Sequence, residues 1–235
     1  MVADRALRKY LHPTLDDFSI SKFSGKFDGR EVIHKLLEYI PDASIMNSMD
    51  EYKLLLAELR DRLTNSDYGM DIESAKFLYL LVRLTKPESV VETGVANGIS
   101  TFFILNAMKS NRFGKLTSID ISYDVTTFLN DEEKMRWELR VLNIKKNPRR
   151  QFKDIMAGIE DLSIYQHDGD HSYLWQQMEY NLAFNKLKPG GFLLSGDVDS
   201  SFAFIDSFGN ENSEIQFKGI LVGDNKVFGY IEKKS

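Results

Sequence analysis

The spacing of apolar residues in this chain of 235 residues changes once, at Pro87, and that change limits the folds open to it. After it, short β-branched runs end in glycine or aspartate and pass directly into helical segments. SVVET (89–93) meets Gly94 and then the helical ISTFFILNAMK. KLTSIDIS (115–122) and DLSIYQHDGD (161–170) read as further strands, followed by the helical LWQQMEYNLAFNKL (174–187) and the strand GGFLLSGDV (190–198). Strands this apolar need cover on both faces, and intervening helices supply it when the strands run parallel with right-handed crossovers. An α/β fold is therefore expected. The rhythm breaks at the end, where EIQFKGILVGDNKVFGYIEKK (214–234) reads as two strands about the turn GDNK, an antiparallel hairpin closing a parallel sheet.

Upstream of Pro87 the spacing is helical. Residues 1–28 have no period and read as an irregular arm. Val32, Ile33, Leu36, Leu37 and Ile40 define a short helix stopped by Pro41, and a second runs from Met49 to about Leu63 with Leu55, Leu56 and Leu59 on one side. Asp71 stands in N-cap position before IESAKFLYLLVRLT. The chain thus divides into a helical extension, 1–70, and an α/β domain, 71–235. Leucine-rich helices outside a sheet need a surface to bury against, which allows a homodimer through the extension.

Composition removes several chemistries. Without cysteine there is no thiolate nucleophile and no thiolate zinc site, so catalysis must rest on carboxylates, His, Lys, Tyr or a cofactor. A net charge of -5 argues against nucleic acid as partner; the one basic run, KKNPRR (145–150), reads as a solvated loop. The longest apolar run, FLYLLV (77–82), is too short to span a membrane, and no leader pattern opens the chain, so a cytoplasmic location is expected.

The turn after the first strand, VVETGVANGIS, lacks the G-x-G-x-x-G of a pyrophosphate cradle and reads E-x-G-x-x-x-G through Glu92, Gly94 and Gly98. Gly94 allows a sharp turn at the strand end, while Asn97, Gly98 and Ser100 open the next helix near a ligand. Asp120, at the end of the second strand, is placed to hold two ribose hydroxyls. Together they imply an adenosine-like ligand.

The order ET-G-x-x-x-G, SID, DGDHSY, LKPGGFLLSGDV and terminal hairpin resembles the class I S-adenosylmethionine-dependent methyltransferases over residues 70–235. The nearest likeness is to small-molecule O-methyltransferases of the catechol and caffeoyl-CoA type, with relatives among macrolide-sugar and cephalosporin-tailoring enzymes. The resemblance implies a Rossmann-like seven-stranded sheet whose last strand is antiparallel. It implies S-adenosylmethionine as cofactor, a small-molecule acceptor, Glu92 and Gly94 lining the methionine and ribose side, and Asp120 on the ribose. Those enzymes follow an Asp by three residues with a Lys; here the same spacing gives Asp168 and His171, with His171 as general base. The family's acid for the adenine amine has no counterpart in ELRVLNIKKNPRRQFKDIM.

Asp168, at a strand's carboxyl end, faces the crevice where such folds bind ligands, beside the cofactor. With Asp197 and Asp199 at the neighbouring strand end it could hold Mg²⁺, although the family's Asp-Asn pair is absent there. His167, one step earlier on an alternating strand, points to the other face and reads as structural. Trp137 and Trp175 read as core. Two other readings stay open: a non-catalytic module that binds S-adenosylmethionine, and a divalent-metal hydrolase, for which only His12 and His34 remain as further imidazole ligands.

Overall fold

The computed structural model describes residues 42–63, 70, 72–126, 128–210, 212–222 and 227–235. Its helices are α1 (Asp42–Arg62), α2 (Ile72–Thr85), α3 (Ile99–Asn111), α4 (Asp131–Lys134), α5 (Pro148–Ala157), α6 (Tyr173–Lys186) and α7 (Ala203–Phe208). Its strands are β1 (Ser89–Thr93), β2 (Lys115–Asp120), β3 (Trp137–Val141), β4 (Leu162–His167), β5 (Leu187–Ser195), β6 (Ile215–Val222) and β7 (Val227–Lys233). The seven strands lie in the order β3-β2-β1-β4-β5-β7-β6. β1 pairs in parallel with β2 and β4, β2 with β3, and β4 with β5, while β7 runs antiparallel to both β5 and β6. The α/β expectation and its antiparallel last strand are thereby met.

Strand alternation builds the core on both faces of the sheet. Val90, Leu116, Ile164 and Leu194 join α1, α2 and α3 in one apolar cluster, and their neighbours Val91, Tyr165 and Leu193 join α5, α6 and α7 in the other. α3 is apolar on nearly all sides and is buried from Ile99 to Met108, because α2 covers the surface it turns away from the sheet. Phe102 and Phe103 are wholly buried there, and each such side chain contributes about 1.5 to 3 kcal/mol. α1 adds Tyr52 and Leu59 to the same cluster. Its Arg62 closes on Glu133 of α4 at 3.0 and 2.9 Å and lies over the Phe102 ring.

Four local differences have physical reasons. α1 begins at Asp42, not Met49: DASIMNS lacks an apolar stripe but contains nothing that breaks a helix. β3 shows no clear period because it is an edge strand with partly exposed residues on both sides. KKNPRR is only half a loop, since Asn147 accepts from the Arg150 N–H at 3.2 Å and Pro148 opens α5; its four basic residues are exposed. β5 starts at Leu187, three residues ahead of the expected glycine pair. The arm at 1–28, the helix ending at Ile40, the Asp71 cap and the GDNK turn lie outside the described residues. Among the described residues no helix is long and apolar enough to cross a membrane.

Candidate functional site

The carboxyl ends of β1, β4 and β5 meet at one place, and glycine makes the approach possible. Gly94 has φ +77°, and a Cβ there would stand 2.1 Å from the Asp168 carbonyl oxygen. Its N–H reaches the Ile119 carbonyl on β2 at 3.0 Å, so the chain leaves β1 held against both neighbours. Val95 to Gly98 then closes a turn (2.8 Å), with Asn97 half-buried within it, and Gly98, at φ +89°, starts α3 against the Thr126 side chain.

Two carboxylates hold this turn. Asp120 ends β2, and one of its oxygens accepts from Val95 N–H at 2.7 Å while the other accepts from Ile121 (2.6 Å) and Ser122 (2.9 Å). Glu92 lies beneath the turn and is completely buried, accepting from Thr101 (2.7 Å), Ser118 (2.7 Å) and Ser100. Burial pushes its carboxyl above the ordinary value, against the pull of the three hydroxyls. Glu92 and Ser100 therefore support the loop from inside and do not line the crevice. Trp137 extends the same network, donating its indole N–H to Ser118 at 2.9 Å.

Asp168, His171 and Asp197 come together beside the turn. Each offers one ligand atom, and these atoms all lie within 4.8 Å of one another. His171 Nε2 is 3.4 Å from Asp197 and 3.8 Å from Asp168, and the three side chains are 22, 28 and 13% exposed. Asp197 adopts φ +46°, in the left-handed region that Asp tolerates better than most residues. Gly196 packs so closely that a Cβ would meet the Asp168 carboxylate at 2.5 Å. Asp199, expected with Asp168 and Asp197, is not part of this group, and His171 takes the third place.

Beneath the group lies a buried polar network. His167 Nδ1 is 2.5 Å from Glu179 Oε2, which also accepts from Tyr165 (2.7 Å) and Thr93 (2.9 Å), while Trp175 donates to Oε1. Burial and Glu179 raise the Tyr165 phenol well above its ordinary range. His167 is fully buried, so it faces away from the crevice as strand alternation requires. It is not separate from His171, however: the rings meet edge to face at 5.3 Å, and Gln176 bridges them. Gln176 and Glu179 were not singled out from the sequence. Their signal is a pair of polar residues three apart on a helix face otherwise buried with Tyr180 and Ala183.

A cavity of about 530 Å³ opens at the opposite ends of the strands, lined by Ser89, Lys115, Glu138, Arg140, Asp154 and Glu160. Its basic residues already pair with Glu138 at its wall. The topology and the convergent groups place the candidate site at the carboxyl ends instead.

Residues 91–198 match the family model described as a methyltransferase domain, an interval that runs from β1 through Asp197. No curated protein matches the chain in sequence. Among solved structures, the O-methyltransferase TomG from Streptomyces achromogenes, in complex with S-adenosylmethionine, aligns with a TM-score of 0.58 at 14% identity, over 80% of this chain and 90% of that one. The O-methyltransferase from Bacillus cereus, in complex with S-adenosylhomocysteine, aligns with a TM-score of 0.53 at 15% identity, over 83% and 93%. At such identities the likeness is one of fold. The family match adds a likeness in sequence: residues 91–198, which carry β1 to β5 and the Asp168–His171–Asp197 group, are similar to a methyltransferase domain, and the seven-stranded topology agrees with the fold of the O-methyltransferases aligned above.

Proposed function

We propose that the chain transfers the methyl group of S-adenosylmethionine to a hydroxyl oxygen of a small molecule. The convergence of Asp168, His171 and Asp197 beside the Gly94 turn carries this reading. Asp120 and the turn through Asn97 and Gly98 hold the nucleoside, and Gly94 lets the methionine end approach the backbone. The acceptor oxygen attacks the methyl carbon; the C–O bond forms as the C–S bond breaks, and the sulfur keeps the electron pair. The acceptor's proton passes to Nε2 of His171, whose two carboxylate neighbours stabilise the imidazolium that results. Holding acceptor and methyl donor in line supplies much of the rate.

The Asp-His-Asp donor set also fits a divalent cation. Mg²⁺, which prefers oxygen, would take Asp168 and Asp197 and leave Nε2 of His171 as the proton acceptor, whereas Mn²⁺ or Fe²⁺ bound through the imidazole as well would occupy that nitrogen and take from it the role of base. A bound cation would lower the acceptor hydroxyl's pKa. The reading is of a cytoplasmic enzyme; Leu55, Leu56 and Leu59 of α1 pack on the core, so a homodimer through α1 would use its outer side, where Leu54 is exposed.

Calorimetry with S-adenosylhomocysteine, with and without divalent metal, tests the central claim. Binding at one site is expected; absence of binding under both conditions overturns it. A module that only binds the cofactor would bind equally well and show no slow cofactor turnover in water, whereas the enzyme is expected to show some.

A further inference from the structure

The connection from β2 to β3 carries too little structure of its own to hold its place. Parallel strands are joined by a crossover that is usually a helix packed on the sheet. Between Asp120 and Trp137 the described residues form only the single turn α4. Support comes from upstream of the sheet instead. Arg62, the last residue of α1, sets its guanidinium on the Glu133 carboxylate of α4 at 3.0 and 2.9 Å, donates to the Phe128 carbonyl at 3.4 Å and lies over the Phe102 ring of α3. Glu58, one turn earlier, accepts from the other arm of the guanidinium. Glu133 passes the grip on, accepting from the Asn130 N–H at 2.8 Å. Leu129 N–H bonds the Thr126 carbonyl at 3.1 Å. Thr126 is 1% exposed, and its methyl fills the space that a Cβ on Gly98 would need. Its φ of +56° is a left-handed conformation that β-branched residues seldom adopt and that persists only where the surroundings impose it.

We propose that Arg62 is a positioning residue for the cofactor. It holds Phe128 and Glu133, and through them Leu129 and Asn130; this seats Thr126 against Gly98 and so fixes the separation of Gly98 from Asp120, the two sides of the nucleoside site. The inference deepens the proposed function and rests on a nucleoside held between Asp120 and the Gly98 turn. Arg62 acts through this part of the chain, not by touching the ligand. The helix α1, which lies outside the α/β domain in sequence, thereby takes part in cofactor binding.

Calorimetry with S-adenosylhomocysteine on two variants tests this. Arg62→Met keeps an apolar stem over Phe102 but leaves the Glu133 carboxylate buried and unpaired, so both its urea midpoint and its affinity should fall. Arg62→Met combined with Glu133→Gln removes both charges, while the new amide oxygen can still accept from the Asn130 N–H. The affinities are taken at a temperature where the double variant is fully folded, so a lower midpoint by itself leaves Kd unchanged. The Kd of the double variant is expected to rise by about fivefold or more, the lower end of the coupling usual between distinct sites. Its Leu129 amide hydrogen should also exchange faster than in the wild type. A double variant with the wild-type Kd, or a raised Kd with Leu129 exchange unchanged, overturns the proposal. If Arg62→Met does not fold, the double variant decides alone. A wild type that binds no S-adenosylhomocysteine refutes the methyltransfer reading, and the role of Arg62 with it; equal binding by wild type and double variant refutes the role of Arg62 only.

Discussion

The Asp168 main chain runs so close to Gly94 that a single added carbon on Gly94 would stand 2.1 Å from the Asp168 carbonyl oxygen. The cofactor turn and the proposed reacting group therefore share one backbone contact. Gly94→Ala must both relieve this overlap and hold alanine at positive φ, a conformation that alone costs about 1 to 3 kcal/mol. We expect lower stability in urea and loss of S-adenosylhomocysteine binding. A variant that binds as the wild type does would show that the contact does not shape the crevice.

Asp120 and His171 should separate binding from transfer. Asp120→Ala removes the acceptor for three backbone N–H groups as well as the proposed ribose contact, so calorimetry should find no cofactor binding. His171→Ala should bind within about twofold of wild type yet give no transfer, since a lost general base typically costs 10² to 10⁴ in rate. Equal loss of binding in both variants would contradict this division of roles.

Glu92 should leave a mark on the pH dependence of stability. Its folded value lies above 4.5 because of burial, so the folded protein holds that proton more tightly than the unfolded chain. The contribution is complete below pH 4.5 and is lost as pH rises through the folded value. Urea unfolding of wild type and Glu92→Gln across this interval should show the wild type losing stability relative to the variant as pH rises. Parallel curves would mean that Glu92 has no raised value.

The Arg62–Glu133 pair should be worth more than a surface ion pair. The Arg62 side chain is 23% exposed and the Glu133 side chain 3%, and Glu133 also completes the capping box of α4 with Asn130. Glu133→Ala is expected to cost about 2 to 4 kcal/mol, combining a broken partly buried pair with a lost cap. Denaturant midpoints at unchanged slope would measure it. A change below about 0.5 kcal/mol would place the pair with ordinary surface ion pairs.

Much of this site was legible because parallel strands write it locally: a β-branched run followed by Gly94, or by Asp120, names both a strand end and a crevice position. Asp168 followed from the same logic, while His171 was singled out by the family resemblance, three residues after it. Glu92 was misplaced because its position beside a ligand turn is the same whether its side chain points out or in, and only Ser100, Thr101 and Ser118 together decide that it points in. Asp199 and His171 differ by a backbone reversal at Asp197 that no local pattern announces. Gln176 and Glu179 were passed over because a polar residue on a buried helix face gains meaning only once His167 is known to lie against it. β3 was missed since an edge strand with mixed burial has no clear period.

The step after Asp197 ties the site to the far end of the chain. Val198 N–H bonds the Val227 carbonyl at 3.0 Å, so the strand that closes the sheet also sets where the preceding aspartate must turn. Through this bond β7 is coupled to the candidate site, and a small change in how β7 seats against β5 is expected to re-aim Asp197 from outside the group it forms with Asp168 and His171.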